Sequence, residues 1–491
     1  LAGTELRRIK SHVPATMTAN KPTDQEPLSA AALDAFAQRL TLSAGLAFFL
    51  AMLMSALSLR CLYADGSYQL TRVLTAGSFT EIAKNRECAS YVYQLPVVLA
   101  LKLGIHNLHF LEIAFGLGCF LPWPLCLACC HALAPRHFWL AMWGCGAGYL
   151  NAGFMPVGEY NVAHAFVWPV LFAVFFVRPL TPAAAVALLL SGIILLFSYE
   201  SLFFLGPPLA IATIGRVVCG REKPWAKCAL ALAALLLVAA AGIALDGILN
   251  PECPNNLGGF QYGVWQNFKN PTWTTVWTGI WLLVTTFVSV SGTGFTRKNF
   301  RLEQALMAGA IILWSCGPLF HPGDTGAERQ YEQRSLQLLV PLVLLFVAWA
   351  STRARDWFAA RWGYLTTFAA ALLLAQSLWL LAVTWQWHGF VGLWRAVLAS
   401  HHGPVPLAQT PFSNASVGRQ TLNFEWTWAN PTLSIMLAPG NNVQAMILPD
   451  RPPPWQPFDP ANPQTFPDLQ KFGITYQAYA AAITAKPSTT K

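Results

Sequence analysis

Apolar residues in this chain arrive in long, almost unbroken runs, among them Leu230 to Leu245 and Leu336 to Ala350. A run approaching the roughly 20 residues needed to cross a bilayer reads as a span rather than as a buried core helix. Composition agrees, because only 11% of the 491 residues are charged and 55% are hydrophobic. A water-soluble protein so poor in charge could not cover its own surface. The 20 tryptophans suit membrane interfaces, where an apolar ring and a single donor are both satisfied.

The expected fold is therefore an all-α polytopic membrane protein with about eleven transmembrane helices and a small β-containing tail outside the membrane. Spans are expected near 42–62, 108–131, 138–155, 164–178, 183–198 and 201–217, then 228–248, 275–295, 303–320, 335–351 and 363–385. Residues 1–40, polar with Arg7, Arg8 and Lys10 and three prolines, are expected to form a disordered cytoplasmic arm. Residues 41–385 form the membrane core, and residues 386–491 form the tail. The apolar piece Leu95 to Leu103 is too short to cross and is expected at the interface. Strand-like pieces in the tail fall at Thr421–Trp428, Thr432–Leu437 and Val443–Leu448, separated by Asn-Pro and Gly-Asn-Asn turn signals.

Residues 183–217 decide the topology. As one helix they would be about 50 Å long, well beyond a hydrocarbon layer of about 30 Å. The polar Ser198-Tyr199-Glu200-Ser201 supplies a turn. With two spans, the clusters Arg216/Arg221/Lys223/Lys227, Arg297/Lys298/Arg301 and Arg353/Arg355/Arg361 all share a side with the basic arm. The positive-inside rule then puts the N-terminus in the cytoplasm and the C-terminus outside, as in a bacterial inner membrane protein. The net charge of +9 is absorbed by these short loops, and no basic tract interleaved with aromatics points to nucleic acid.

That topology gathers the polar loops 63–94, 155–164, 249–274 and 321–334 on the outer side. Asp65 stands just past the first span, Glu159 lies in the next outer loop near His164, and Glu200 sits within or beside the apolar layer. A carboxylate at that depth costs several kcal/mol unless paired or wet, so Glu200 is read as functional. Arg86, Arg329 and Arg334, with His164, His321, Tyr91 and Tyr199, are the candidate substrate-binding residues, since arginine forks match phosphate oxygens. Cys126, Cys129 and Cys130 lie in an apolar span and read as small hydrophobic residues, not as metal ligands. Cys88 and Cys253, both in outer loops, are a candidate disulfide pair.

The run Ala64-Asp-Gly-Ser-Tyr68 followed by Tyr91-Val-Tyr-Gln-Leu-Pro96 resembles the first outer loop of the GT-C class of integral membrane glycosyltransferases. That resemblance implies sugar transfer from a polyprenyl-phosphate donor, with Asp65 as base and Glu159 or Glu200 orienting a substrate. It implies a polyprenyl-phosphate lipid as partner, beside the membrane lipids, and an acceptor that is a glycan, a lipid or a protein. Asp65 has Gly66 and Ser67 as neighbours rather than a second acid, so a divalent metal is left open and no cofactor is implied. A transporter or flippase, and a non-catalytic scaffold, are the other two readings of such a chain.

Overall fold

A computed structural model describes residues 30–81, 84–149, 158–250, 326–413, 424, 426–449 and 458–485. The first helix, α1 (Ala30–Leu57), begins inside the stretch expected to be an arm and ends before Leu62. Its buried positions include Ala37, Ala44 and Ala51, one every seven residues, while Leu42, Leu46 and Phe49 are exposed. Small residues in one line let a second backbone approach closely, and leucines on the opposite face suit hydrocarbon. The chain then turns through Arg60–Leu62 into α2 (Asp65–Ala76) and continues as α3 (Glu87–Lys102). The expected interfacial piece 95–103 is thus the second half of a longer helix. Next come α4 (Leu108–Phe120) and α5 (Pro122–Leu133), bent by 41° where a single span was expected. Pro122 and Pro124, which follow the bend at Leu121, lack the amide protons a continuous helix would use.

Helix α6 (Phe138–Gly144) runs into a π-helical turn over Cys145–Tyr149. It is followed by α7 (Glu159–Phe175), α8 (Pro182–Leu196), α9 (Leu202–Cys219) and α10 (Pro224–Leu249). The break between α8 and α9 falls at the expected turn, and α10 packs against both. Helix α11 (Gly326–Arg353), the short α12 (Arg355–Ala360) and the long α13 (Trp362–Ser400) complete the described bundle. Among the described residues, four helices are long and apolar enough to cross a membrane, or five if the bent pair α4–α5 is one span. Three further apolar helices are shorter. The expected spans 275–295 and 303–320 lie outside the described residues.

Helix α13 has 39 residues, about 58 Å at 1.5 Å per residue, nearly twice a hydrocarbon thickness. It packs along α1 and carries the helix well past residue 385, where the membrane core was expected to end. The tail then folds on its projecting end. Strand β1 (Gly403–Pro406) pairs in parallel with β2 (Ala445–Leu448), flanked by α14 (Asn430–Met436) and α15 (Gln477–Ala485). The strand expected at Thr432–Leu437 is therefore a helix. Pro431 explains this, because at the first helical position its missing N–H costs nothing and its φ is already helical. The expected strand at Val443–Leu448 is present as β2, whereas most of the piece 421–428 lies outside the described residues.

Candidate active site

Two positive backbone φ angles bracket the turn out of α1, Leu59 at 57° and Ala64 at 52°. Residues with a Cβ seldom sit there, and such conformations persist only where the surroundings over-determine them. The surroundings here are specific. The Tyr63 ring meets Trp387, Phe424 and Trp426 edge-on, at 5.9, 5.5 and 6.1 Å between centroids. The Trp387 indole donates to the Ser58 carbonyl at 2.9 Å. Arg60 is fully buried, with a guanidinium N–H 3.4 Å from the Thr384 hydroxyl, which is itself 2.9 Å from Ser55. The strained turn thus delivers Asp65 to the first position of α2, where the positive end of a helix dipole favours a carboxylate.

Helix α2 is held from both sides. Toward the tail, the Ser67 and Thr432 hydroxyls share a hydrogen bond of 2.9 Å, and Tyr68 packs edge-on against Trp428. Toward the bundle, the Gln69 amide donates to Glu159 Oε1 at 3.5 Å. Gln69 is one helical turn from Asp65 and so lies on the same face of α2.

Glu159 opens α7 and is 5% exposed. Its Oε1 also accepts from the Tyr93 hydroxyl at 3.1 Å, and its Oε2 lies 3.8 Å from Arg86 Nη1. Arg86 turns the rest of its fork to Glu200, donating from Nε at 3.0 Å and Nη2 at 2.5 Å, both to Oε1. Asn85 adds a third donor to that oxygen at 3.1 Å. The Tyr199 ring lies beneath the guanidinium, 4.9 Å from centroid to Cζ, and packs against Tyr160. Burial alone would raise the Glu200 pKa, but the charge and hydrogen bonds of Arg86 outweigh it and hold the carboxyl below its ordinary value. Arg86 is held correspondingly above the usual arginine range, despite its burial, by Glu200, Tyr199 and Glu159. One arginine in the first loop thus joins two acids that lie forty-one residues apart.

The other expected residues take varied places. His164 is buried one turn into α7, its Nδ1 2.7 Å from the Tyr160 carbonyl, so it sits behind Glu159. Tyr91 packs on Phe79, with 4.9 Å between ring centroids. Arg329 and Arg334 fall in the first turns of α11, and their side chains are outside the described residues, as are His321 and Cys253. Helix α11 nonetheless reaches the site, since Gln337 donates to Asn161 at 2.8 Å. Among the described residues no group of three or more His, Cys, Asp or Glu could hold a metal ion.

Several partners escaped the sequence reading. Gln69, Asn85 and Tyr93 are neutral, and nothing in their type singles them out, although Gln69 lies a helical turn from Asp65. Glu112 had a clear signal, an acid inside an expected span, and is 4% exposed on α4. Its Oε2 lies 3.5 Å from His109, and its backbone carbonyl accepts from the Cys61 thiol. No protein-family model, characterised protein or solved structure matches the chain.

Proposed function

We propose that this chain is a GT-C-like inverting glycosyltransferase, moving a sugar from a polyprenyl-phosphate donor to an acceptor on the outer face of the membrane. The observation that carries the reading is that Arg86 joins Glu159 to Glu200 while Asp65 lies on the α2 face whose Gln69 contacts Glu159. In the proposed reaction Asp65 takes the proton of the acceptor hydroxyl while that oxygen bonds to the anomeric carbon. The bond from that carbon to the phosphate oxygen breaks, and polyprenyl phosphate leaves as an anion. In this proposal Arg329 and Arg334 receive that anion.

In this proposal Arg86 is a positioning residue. Its Nε and Nη2 are engaged by Glu200, so it positions the first loop against α7 and the α8–α9 turn instead of clamping phosphate. Glu159 and Glu200 are likewise positioning residues, and they fix the frame in which Asp65 works. The proposed chain crosses the membrane about eleven times with its N-terminus in the cytoplasm, as an inner membrane protein would. The break between α8 and α9 supports that count.

The test uses proteoliposomes of the full chain supplied with a panel of polyprenyl-phosphate sugars and a mixed acceptor extract. Donor-dependent release of polyprenyl phosphate above protein-free vesicles is the expected result. A panel that yields no release, or one in which intact donor is merely moved across the bilayer, contradicts the reading.

A further inference from the structure

At the other end of the bundle from the acids lies a cavity of about 1360 Å³. Helix α7 runs between the two, with Glu159 at its start and Phe175 in the cavity wall, a distance of about 24 Å along its axis. Three arginines from three segments converge on the cavity. Arg136 belongs to the turn before α6, Arg178 follows α7, and Arg355 opens α12. Among the described lining residues Asp34 is the one carboxylate. His137, which stacks on Phe176 at 4.0 Å, is driven down to a pKa of about 4 by burial and then by Arg136 and Arg355. The Arg178 pKa is likewise lowered by burial and by neighbouring cations, with Glu222 opposing. Positive charge is therefore in excess there.

Gln38, Thr41, His131, Ser351, Thr352 and Thr366 add polar groups, and the rest of the wall is apolar. Leu42, Leu46 and Phe49 line it from α1, and all three are exposed on the surface that would face hydrocarbon. Pro124 and Leu127 continue the apolar wall on α5. The volume exceeds the roughly 300–1,000 Å³ of ordinary small-molecule pockets. A small water-soluble anion would satisfy the arginines and leave the apolar half against water. An occupant with a phosphate at one end and hydrocarbon at the other satisfies both.

We infer that this cavity is a binding site for an anionic phospholipid, with its phosphate among Arg136, Arg178 and Arg355 and its acyl chains along α1 and α5. Basic pockets between helices on the cytoplasmic side suit such headgroups. The inference is independent of the chemistry at the opposite end.

Native mass spectrometry of the full chain in detergent, offered an equimolar mixture of phosphatidylglycerol and phosphatidylcholine, tests it. Phosphatidylglycerol should be retained preferentially, and each of Arg136→Gln, Arg178→Gln and Arg355→Gln should reduce that preference by up to about fivefold. Arg221→Gln, a nearby exposed arginine outside the cavity wall, should leave it intact. Equal retention of the two lipids by the native chain overturns the site, as does an unchanged preference in all three variants. Inorganic phosphate alone is added as competitor, and it should not displace the lipid. Displacement would mean a water-soluble phosphate ligand and would overturn the lipid assignment.

Discussion

Replacing Arg86 with glutamine removes a cation shared by Glu159 and Glu200 and leaves both carboxylates in place. The pair is well shielded, with side-chain exposures of 15% for Arg86, 15% for Glu200 and 6% for Glu159. Removing one partner of a buried pair costs about 3–5 kcal/mol. Two features favour the lower end. Glu200 keeps Asn85 and Glu159 keeps Tyr93 and Gln69, so neither is left without donors. A carboxyl of ordinary pKa near 4.3 can also escape by protonation, at no more than about 3.7 kcal/mol at pH 7. The expected loss at pH 7 is therefore about 3 kcal/mol.

The protonation limit also gives the loss a pH dependence. It falls to about 1 kcal/mol per carboxyl at pH 5, so the penalty of Arg86→Gln should shrink as pH is lowered from 7 to 5. The native chain behaves in the opposite sense. Its Glu200 pKa is depressed, so the stability from the pair is complete above the ordinary carboxylate range and is lost as pH falls through the depressed value. Reversible unfolding in mixed micelles, followed by the fluorescence of the 20 tryptophans at several pH values, measures both curves. Adding Glu200→Gln to the variant should recover part of the loss. A native and an Arg86→Gln chain within about 0.5 kcal/mol of each other at pH 7 would refute the argument, as would a difference that does not change with pH.

Gly158 precedes Glu159 with φ of +154°, and a Cβ there would collide with the Tyr160 ring. Gly158→Ala should therefore displace the start of α7 and lower stability by about 1–3 kcal/mol in the same unfolding assay, whereas Gly215→Ala, with open space around it, should not. The Ser67–Thr432 hydrogen bond joins α2 to the tail, so Ser67→Ala should speed proteolytic clipping of the tail while costing only about 1 kcal/mol globally. The proposed orientation puts the exposed position 356 in the cytoplasm and the exposed position 81 outside. Single cysteines introduced there in a cysteine-free chain should differ in labelling by an impermeant maleimide accordingly.

Much of this architecture follows from patterns the chain displays openly. Apolar runs mark the helices, and the polar Ser198–Ser201 stretch marks the turn between α8 and α9 because a helix cannot hide four polar residues in hydrocarbon. Glu200 stands out for the same reason, as a carboxylate that needs a partner or water, and it is paired with Arg86. Which cation it finds was not legible. Arg86, 114 residues earlier, reaches it through the fold of the first loop, and no spacing rule encodes that distance. The strain at Leu59 and Ala64 was equally hidden, since neither residue type advertises a left-handed conformation. In the tail, Asn430-Pro431 was read as a turn after which a strand begins, yet proline at the first helical position serves a helix just as well. Glu112 shows the reverse case, a signal present in the sequence and passed over.

The proposed general-base role of Asp65 is the centre of the account, and Asp65→Asn isolates it by keeping size and removing charge. The measurement is a pair of readings on one preparation, equilibrium binding of polyprenyl-phosphate sugar and its single-turnover consumption. The account predicts binding within about threefold of the native chain and turnover lower by about a hundredfold or more, with an unchanged unfolding midpoint. Turnover that survives the substitution would contradict it, as would binding and turnover lost in equal measure.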